Sequence, residues 1–146
     1  MRKRRDHAGI LKSTDHVVLD SGGLSVMLGH SASARSWLEW CLAYVGTVVV
    51  PAPILVETIT GHSGRDAETN RVLRALARNG RTSPVDEDLG RLAGKLRYRV
   101  GADDGIDALV AAEAAHTKQP CVVLTSDPGD LTALLADQPQ VTIRPV

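Results

Sequence analysis

Phenylalanine is missing from this sequence, and the remaining aromatics are two Trp and two Tyr, so aromatic base stacking cannot dominate whatever the chain binds. Cysteine is nearly as scarce. Cys41 and Cys121 lie far apart with no C-x-x-C spacing, which excludes a disulfide-rich scaffold and points to reduced thiols in a cytoplasmic protein. Net charge is absent too: Lys plus Arg and Asp plus Glu number 17 each, so the strongly basic balance of many nucleic-acid binders is not there. No apolar run approaches the ~20 residues of a membrane span, and no membrane association is expected. Met1 to Arg5 carries the charge of a signal-peptide start, but the stretch from Ala8 to Leu11 is too short for the apolar segment that would have to follow. None of the five His residues stands at H-E-x-x-H or H-x-H spacing, and neither a P-loop nor a G-x-G-x-x-G occurs, which removes support for zinc and for nucleotide-cofactor folds.

What is present fits one compact domain. At 146 residues the chain has the commonest domain length, and its apolar content of 43% comes mainly from Ala, Val and Leu. Residues 1–15 read as a basic, flexible tail and residues 16–146 as one unit without repeats or linkers. Charge is unevenly spread. Residues 61–101 hold nine basic groups against five acidic ones, whereas residues 102–146 hold two against seven.

Apolar runs at 16–20, 47–50, 121–124 and 141–144 read as buried strands. Between them, helical spacing marks 33–45, ended by Gly46, a short helix opened by Pro53, 67–79 ended by Gly80, one led by Ser83-Pro84, 104–117 and 128–136. Strands without alternation, separated by helices, imply an α/β fold: a three-layer α/β/α sandwich around a central parallel sheet.

In such sheets ligands bind beyond the carboxyl ends of the strands, where strand order reverses. Asp20 ends the first strand and Asp127 follows the third, so both are expected on one edge; Glu57 and Asp107 lie in the first turns of helices that can share it. Carboxylates gathered there would repel unless protonated or bridged by a cation. The all-oxygen donor set suits Mg²⁺ or Mn²⁺, and hydrolysis of a phosphodiester by metal-activated water is the natural reaction.

Four segments then carry a resemblance. Val17-Val-Leu-Asp20-Ser-Gly-Gly-Leu24, Pro51-Ala-Pro-Ile-Leu-Val-Glu57, Ile106-Asp107-Ala-Leu-Val-Ala-Ala112 and Val123-Leu-Thr125-Ser-Asp127-Pro-Gly-Asp130-Leu131 resemble PIN-domain ribonucleases, most closely the VapC toxins of toxin–antitoxin pairs. The resemblance implies a Mg²⁺-dependent endoribonuclease with Asp20, Glu57, Asp107 and Asp127 as catalytic residues. Asp20, Asp107, Asp127 and the accessory Asp130 would hold the metal, with Thr125 and Ser126 orienting the carboxylates. It also implies an RNA substrate, a small antitoxin partner and a homodimer. The chain departs from the family pattern at Gly22, where members often carry a hydroxyl or amide side chain.

Each acid has an ordinary reading as well. Asp20 suits a turn, Asp127 a helix N-cap with Asp130 at the third position, Glu57 a solvated surface and Asp107 compensation of a helix dipole. The stripe Arg71, Arg74, Arg78 and the pair Arg91, Lys95 read as solvated helix faces, and Trp37, Trp40 and Tyr44 as core or partner contacts. Two other functions remain open at this point: a PIN-like module that binds metal and a partner without cutting RNA, and a phosphoacceptor receiver domain. The latter lacks a strand-terminal Lys near the C-terminus, since Lys118 precedes its strand.

Overall fold

The computed structural model describes residues 14–146. Most of the expected tail, residues 1–13, lies outside the described residues; Thr14 and Asp15 already belong to the first strand. Among the described residues, β1 (Thr14–Leu19), β2 (Val45–Pro51), β3 (Gly80–Ser83), β4 (Cys121–Thr125) and β5 (Val141–Pro145) form one sheet in the order β3-β2-β1-β4-β5. Every neighbouring pair is parallel. The chain builds outward from β1 through β2 to β3, then crosses back to lay β4 on the other side of β1. Strand order therefore reverses between β1 and β4, the position where a parallel sheet opens a crevice at its carboxyl edge.

Helices cover both faces: α1 (Ser21–Ser25), α2 (Ala32–Tyr44), α3 (Leu55–Thr58), preceded by a 3₁₀ turn at Ala52–Ile54, α4 (Ser63–Leu76), α5 (Glu87–Val100), α6 (Gly105–His116) and α7 (Gly129–Leu134). Val17, Val18 and Leu19 of β1 and all of β4 are buried, which is why these strands read as continuous apolar runs rather than alternating ones. In α6 the small residues Ala108, Ala111, Ala112, Ala114 and Ala115 are buried, so this helix packs closely on the middle of the sheet. Trp37 and Trp40 of α2 meet edge to face with ring centroids 6.0 Å apart and belong to the core, whereas Tyr44 is half exposed.

The three-layer parallel architecture matches the sequence expectation, but several boundaries differ for physical reasons. Gly46 does not end α2; the helix passes directly into β2, and Gly46 sits inside the strand, where a Cβ would stand 2.8 Å from the Asp15 carbonyl oxygen. Gly80 opens a strand that the sequence reading missed, because Gly-Arg-Thr-Ser is polar and β3 is an edge strand with its first three residues partly or fully exposed. With Ser83 in that strand, the cap of α5 falls to Asp86, whose carboxylate accepts from the Leu89 N–H at 2.8 Å. Helix α4 begins at Ser63 rather than at residue 67.

Leu124 is fully buried where β4 pairs with Leu19 of β1. Leu124→Ala is expected to cost about 2–5 kcal/mol through lost burial and the cavity left behind. A urea titration would check this by a lower midpoint at unchanged slope.

Candidate active site

The register pairs Leu19 with Leu124, so the chain leaves β1 and β4 side by side at the carboxyl edge. Asp20 follows at once. It is the N-cap of α1, with extended backbone, and its Oδ1 accepts from the Gly23 N–H at 2.7 Å. The segment Asp20-Ser-Gly-Gly, expected as a turn, is thus a short helix start, and only 7% of Asp20 is exposed. Burial raises its carboxyl above the ordinary value, and neighbouring Asp127 adds to this; hydrogen bonds from Thr125, Gly23 and Gly22 act against it.

Thr125 joins the two acids. Fully buried at the end of β4, its hydroxyl donates to the Asp20 carboxylate while its oxygen accepts from the Asp127 N–H at 2.9 Å. A backbone turn is thereby tied to a side chain on the neighbouring strand, which places Asp127 beside Asp20. Asp127 is not the N-cap of α7: Pro128 occupies that position, and the Asp127 carboxylate accepts only a long contact, 3.4 Å, from the Gly129 N–H. Its oxygens are therefore little committed to capping. Asp130 follows in the first turn of α7, exposed.

Glu57 and Asp107 come from the other elements at this edge. The 3₁₀ turn after β2 leads into α3, where Thr58 is buried and anchored by its hydroxyl to the Ile54 carbonyl at 2.9 Å, leaving Glu57 exposed. Asp107 lies in the first turn of α6, and its carboxyl is pushed up to about 6. Burial is the larger cause, followed by the charges of Asp104, Asp20, Asp130 and Glu57. Carboxylates remote in sequence therefore act on one another across a single rim.

Asp104 was missed as a member of this set. It caps α6, its Oδ1 accepting from Ile106 N–H at 2.8 Å and Asp107 N–H at 3.1 Å. The signal was its place one turn before Asp107, where an uncharged Ser or Thr would cap equally well.

Ser126 is exposed, and its contact with α1 explains the departure at Gly22. A Cβ built on Gly22 would stand 2.0 Å from Ser126 Oγ and 2.8 Å from its backbone nitrogen. In this chain the loop after β4 fills the space that a side chain at position 22 would need. Gly22→Ala is therefore expected to displace that loop and the Asp127 it carries, costing about 1–3 kcal/mol. A lower urea midpoint at unchanged slope would check this.

The rim supplies only oxygen donors, several of them mutually repelling, which is the chemistry that a hard divalent cation satisfies. Among the described residues, however, no three His, Cys, Asp or Glu side chains converge closely enough to hold a metal ion as they stand. Asp20, Asp107, Asp127 and Asp130 share a rim rather than a closed cage.

Comparison with known proteins gives the family. A toxin–antitoxin complex from Klebsiella pneumoniae is similar at 18% identity and a TM-score of 0.62, over 86% of this chain and 95% of that one. VapBC2 from Rickettsia felis, bound to a DNA fragment from its promoter, is similar at 14% identity and a TM-score of 0.62, over 90% and 98%. VapBC-5 from Mycobacterium tuberculosis, of the VapBC family of toxin–antitoxin systems, is similar at 24% identity and a TM-score of 0.55, again over 90% and 98%. These likenesses establish a shared fold. No curated protein matched in a sequence comparison. Among the described residues, no helix is long and apolar enough to cross a membrane. The model of the PIN domain matches residues 17–131, from the first buried valine of β1 to Leu131 of α7, and the chain belongs to the PIN-domain family.

Proposed function

We propose that this protein is a divalent-metal-dependent endoribonuclease and the toxin of a type II toxin–antitoxin pair, neutralised by a small cognate antitoxin. The observation that carries this reading is the convergence of acids on the switch point: Asp20 and Asp127 joined through Thr125, and Asp107 within the field of Asp20, Asp130 and Glu57. Membership of the PIN family and the fold shared with toxin–antitoxin proteins support it.

Asp20, Asp107 and Asp127, with Asp130 at the margin, would hold Mg²⁺ or Mn²⁺. A bound cation supplies charge neutralisation at the scissile phosphate and a more acidic water. The chain's own residues do the rest. Thr125 holds Asp20 by its hydroxyl and Asp127 by its backbone, so the two carboxylates keep their spacing as substrate arrives. In this reading Glu57, exposed on α3, orients the attacking water and accepts its proton. Cleavage of the P–O bond leaves a phosphate on one fragment and a hydroxyl on the other. Cytoplasmic RNA is the substrate in this reading, and a homodimer its working form.

Incubating purified protein with RNA and Mg²⁺ or Mn²⁺ tests the proposal. Cleavage is expected, with loss on adding EDTA and recovery on restoring the metal. Cleavage that persists in EDTA would discard the metal mechanism, and intact RNA under every metal condition would leave a PIN-like binding module.

A further inference from the structure

At the junction of α5 and α6 lies an open trough of about 470 Å³ lined by Gly94, Arg97, Tyr98, Gly101, Ala102 and Asp103. Its volume falls in the range of small-ligand sites, roughly 300–1,000 Å³. Tyr98 is 91% exposed, in a chain whose two Trp are both buried. Gly101 has its own reason, since it caps α5 in the left-handed conformation with φ 67°. Gly94 has none in the packing: a Cβ there would meet no atom within 4 Å, although glycine inside a helix costs about 1 kcal/mol relative to alanine. Side chains on a helix lean toward its N-terminus, so a residue at position 94 is the one whose side chain would pack against Tyr98 four residues later. Glycine there keeps the neighbourhood of the ring clear.

The walls carry opposite charges. Arg97 donates one of its N–H groups to the Asp103 carbonyl at 3.2 Å, fixing the link between the helices and a guanidinium at the mouth. Of the other basic residues on this helix, Arg91 pairs with Glu87 and Arg99 with Asp137. The Asp103 carboxylate opposes a phosphate inside the trough but can accept from a base amino group, so a base fits where a phosphate does not. Asp103 also borders the acidic rim: Asp104 is the next residue, and its Oδ1 lies 3.1 Å from the Asp107 nitrogen.

We propose that this trough is a nucleobase subsite, in which Tyr98 stacks on a base of single-stranded RNA near the scissile bond while Arg97 meets the adjoining phosphate. The inference rests on the nuclease reading of the rim and names how that site selects its substrate. One aromatic ring does not make stacking the dominant source of affinity. It makes one position along the RNA matter.

Binding without turnover keeps the two ideas separable. In an Asp107→Asn background, a fluorescein-labelled, mixed-sequence single-stranded RNA is titrated against proteins with Tyr98, Tyr98→Phe and Tyr98→Ala. Tyr98→Ala is expected to weaken binding roughly 5- to 100-fold, and Tyr98→Phe to restore most of it, since the ring rather than the hydroxyl stacks. In the otherwise unaltered enzyme, Tyr98→Ala should raise KM and leave kcat nearly unchanged. Tyr98 is exposed, so neither variant threatens the fold. Equal affinity for Tyr98 and Tyr98→Ala overturns the subsite and leaves the residue to a protein partner, and failure of the Asp107→Asn protein to bind RNA at all overturns it as well. An unaltered enzyme that cuts no RNA defeats the nuclease reading instead, while the binding titration still decides the subsite.

Discussion

Asp20→Asn is expected to lower RNA cleavage by about a thousandfold while leaving the fold intact. A ligand carboxylate lost from a metal site removes several kcal/mol of transition-state stabilisation, and each ~1.4 kcal/mol is tenfold in rate. The substitution separates this from folding because asparagine caps a helix as well as aspartate does. Its side-chain oxygen can keep the bond from the Gly23 N–H, now 2.7 Å. What disappears is a buried negative charge that burial and Asp127 both disfavour. The raised carboxyl means that ionisation costs folded-state stability above the ordinary value of 3.8. At neutral pH the metal-free variant should therefore be as stable as the parent or more so. Denaturant unfolding in EDTA, set beside a cleavage time course with Mn²⁺, checks both halves. Near-parental cleavage would remove Asp20 from the mechanism, and a large loss of stability would make it a structural residue.

That pairing of a stabilising change with lost activity also explains why this site was legible in the sequence. Fully buried strands of a parallel sheet cannot alternate, so the runs ending at Leu19 and Leu124 stood out, and with them the acids at their ends, Asp20 directly after Leu19 and Asp127 two polar residues beyond Leu124. Those acids conflict with their surroundings, and conflict of that kind marks a functional edge. Less was visible where tertiary context decides. Strand β3 has no apolar run because it pairs with β2 on one side only and needs no buried faces along its length. The turn expected at Asp20-Ser-Gly-Gly became α1 because Gly23 must pass close to β4: a Cβ there would lie 2.3 Å from the Leu124 carbonyl oxygen. Glycines that signal a turn locally were serving a close approach between elements a hundred residues apart. Asp104 escaped notice for the opposite reason, since capping accounts for it fully until its charge is seen acting on Asp107.

Asp107→Asn is expected to remove Asp107's share of the rim's pH dependence and most of its metal response. The carboxyl of Asp107 sits at about 6 in the folded protein against an ordinary value of 3.8. Between those values the folded chain holds a proton that the unfolded chain has released, so stability in EDTA falls as pH rises across this window and levels off above it. Asp66 and Glu68 act with the opposite sign. Backbone and side-chain donors at Thr60 and Gly61, and Arg71 with Gly29, lower their carboxyls, so their contribution is lost as pH falls. Comparing the parent with Asp107→Asn cancels these shared effects, and the difference in melting temperature should widen from pH 4 to pH 6 in favour of the variant. Cations compete with that proton. Excess Mn²⁺ should raise the parent's melting temperature more at pH 7 than at pH 5, and cleavage should fall roughly tenfold per pH unit below 6. In Asp107→Asn the Mn²⁺ response should be small at either pH. An equal response in parent and variant would take Asp107 out of the metal site, and the acidic rim would then have to bind its cation through Asp20, Asp127 and Asp130 alone.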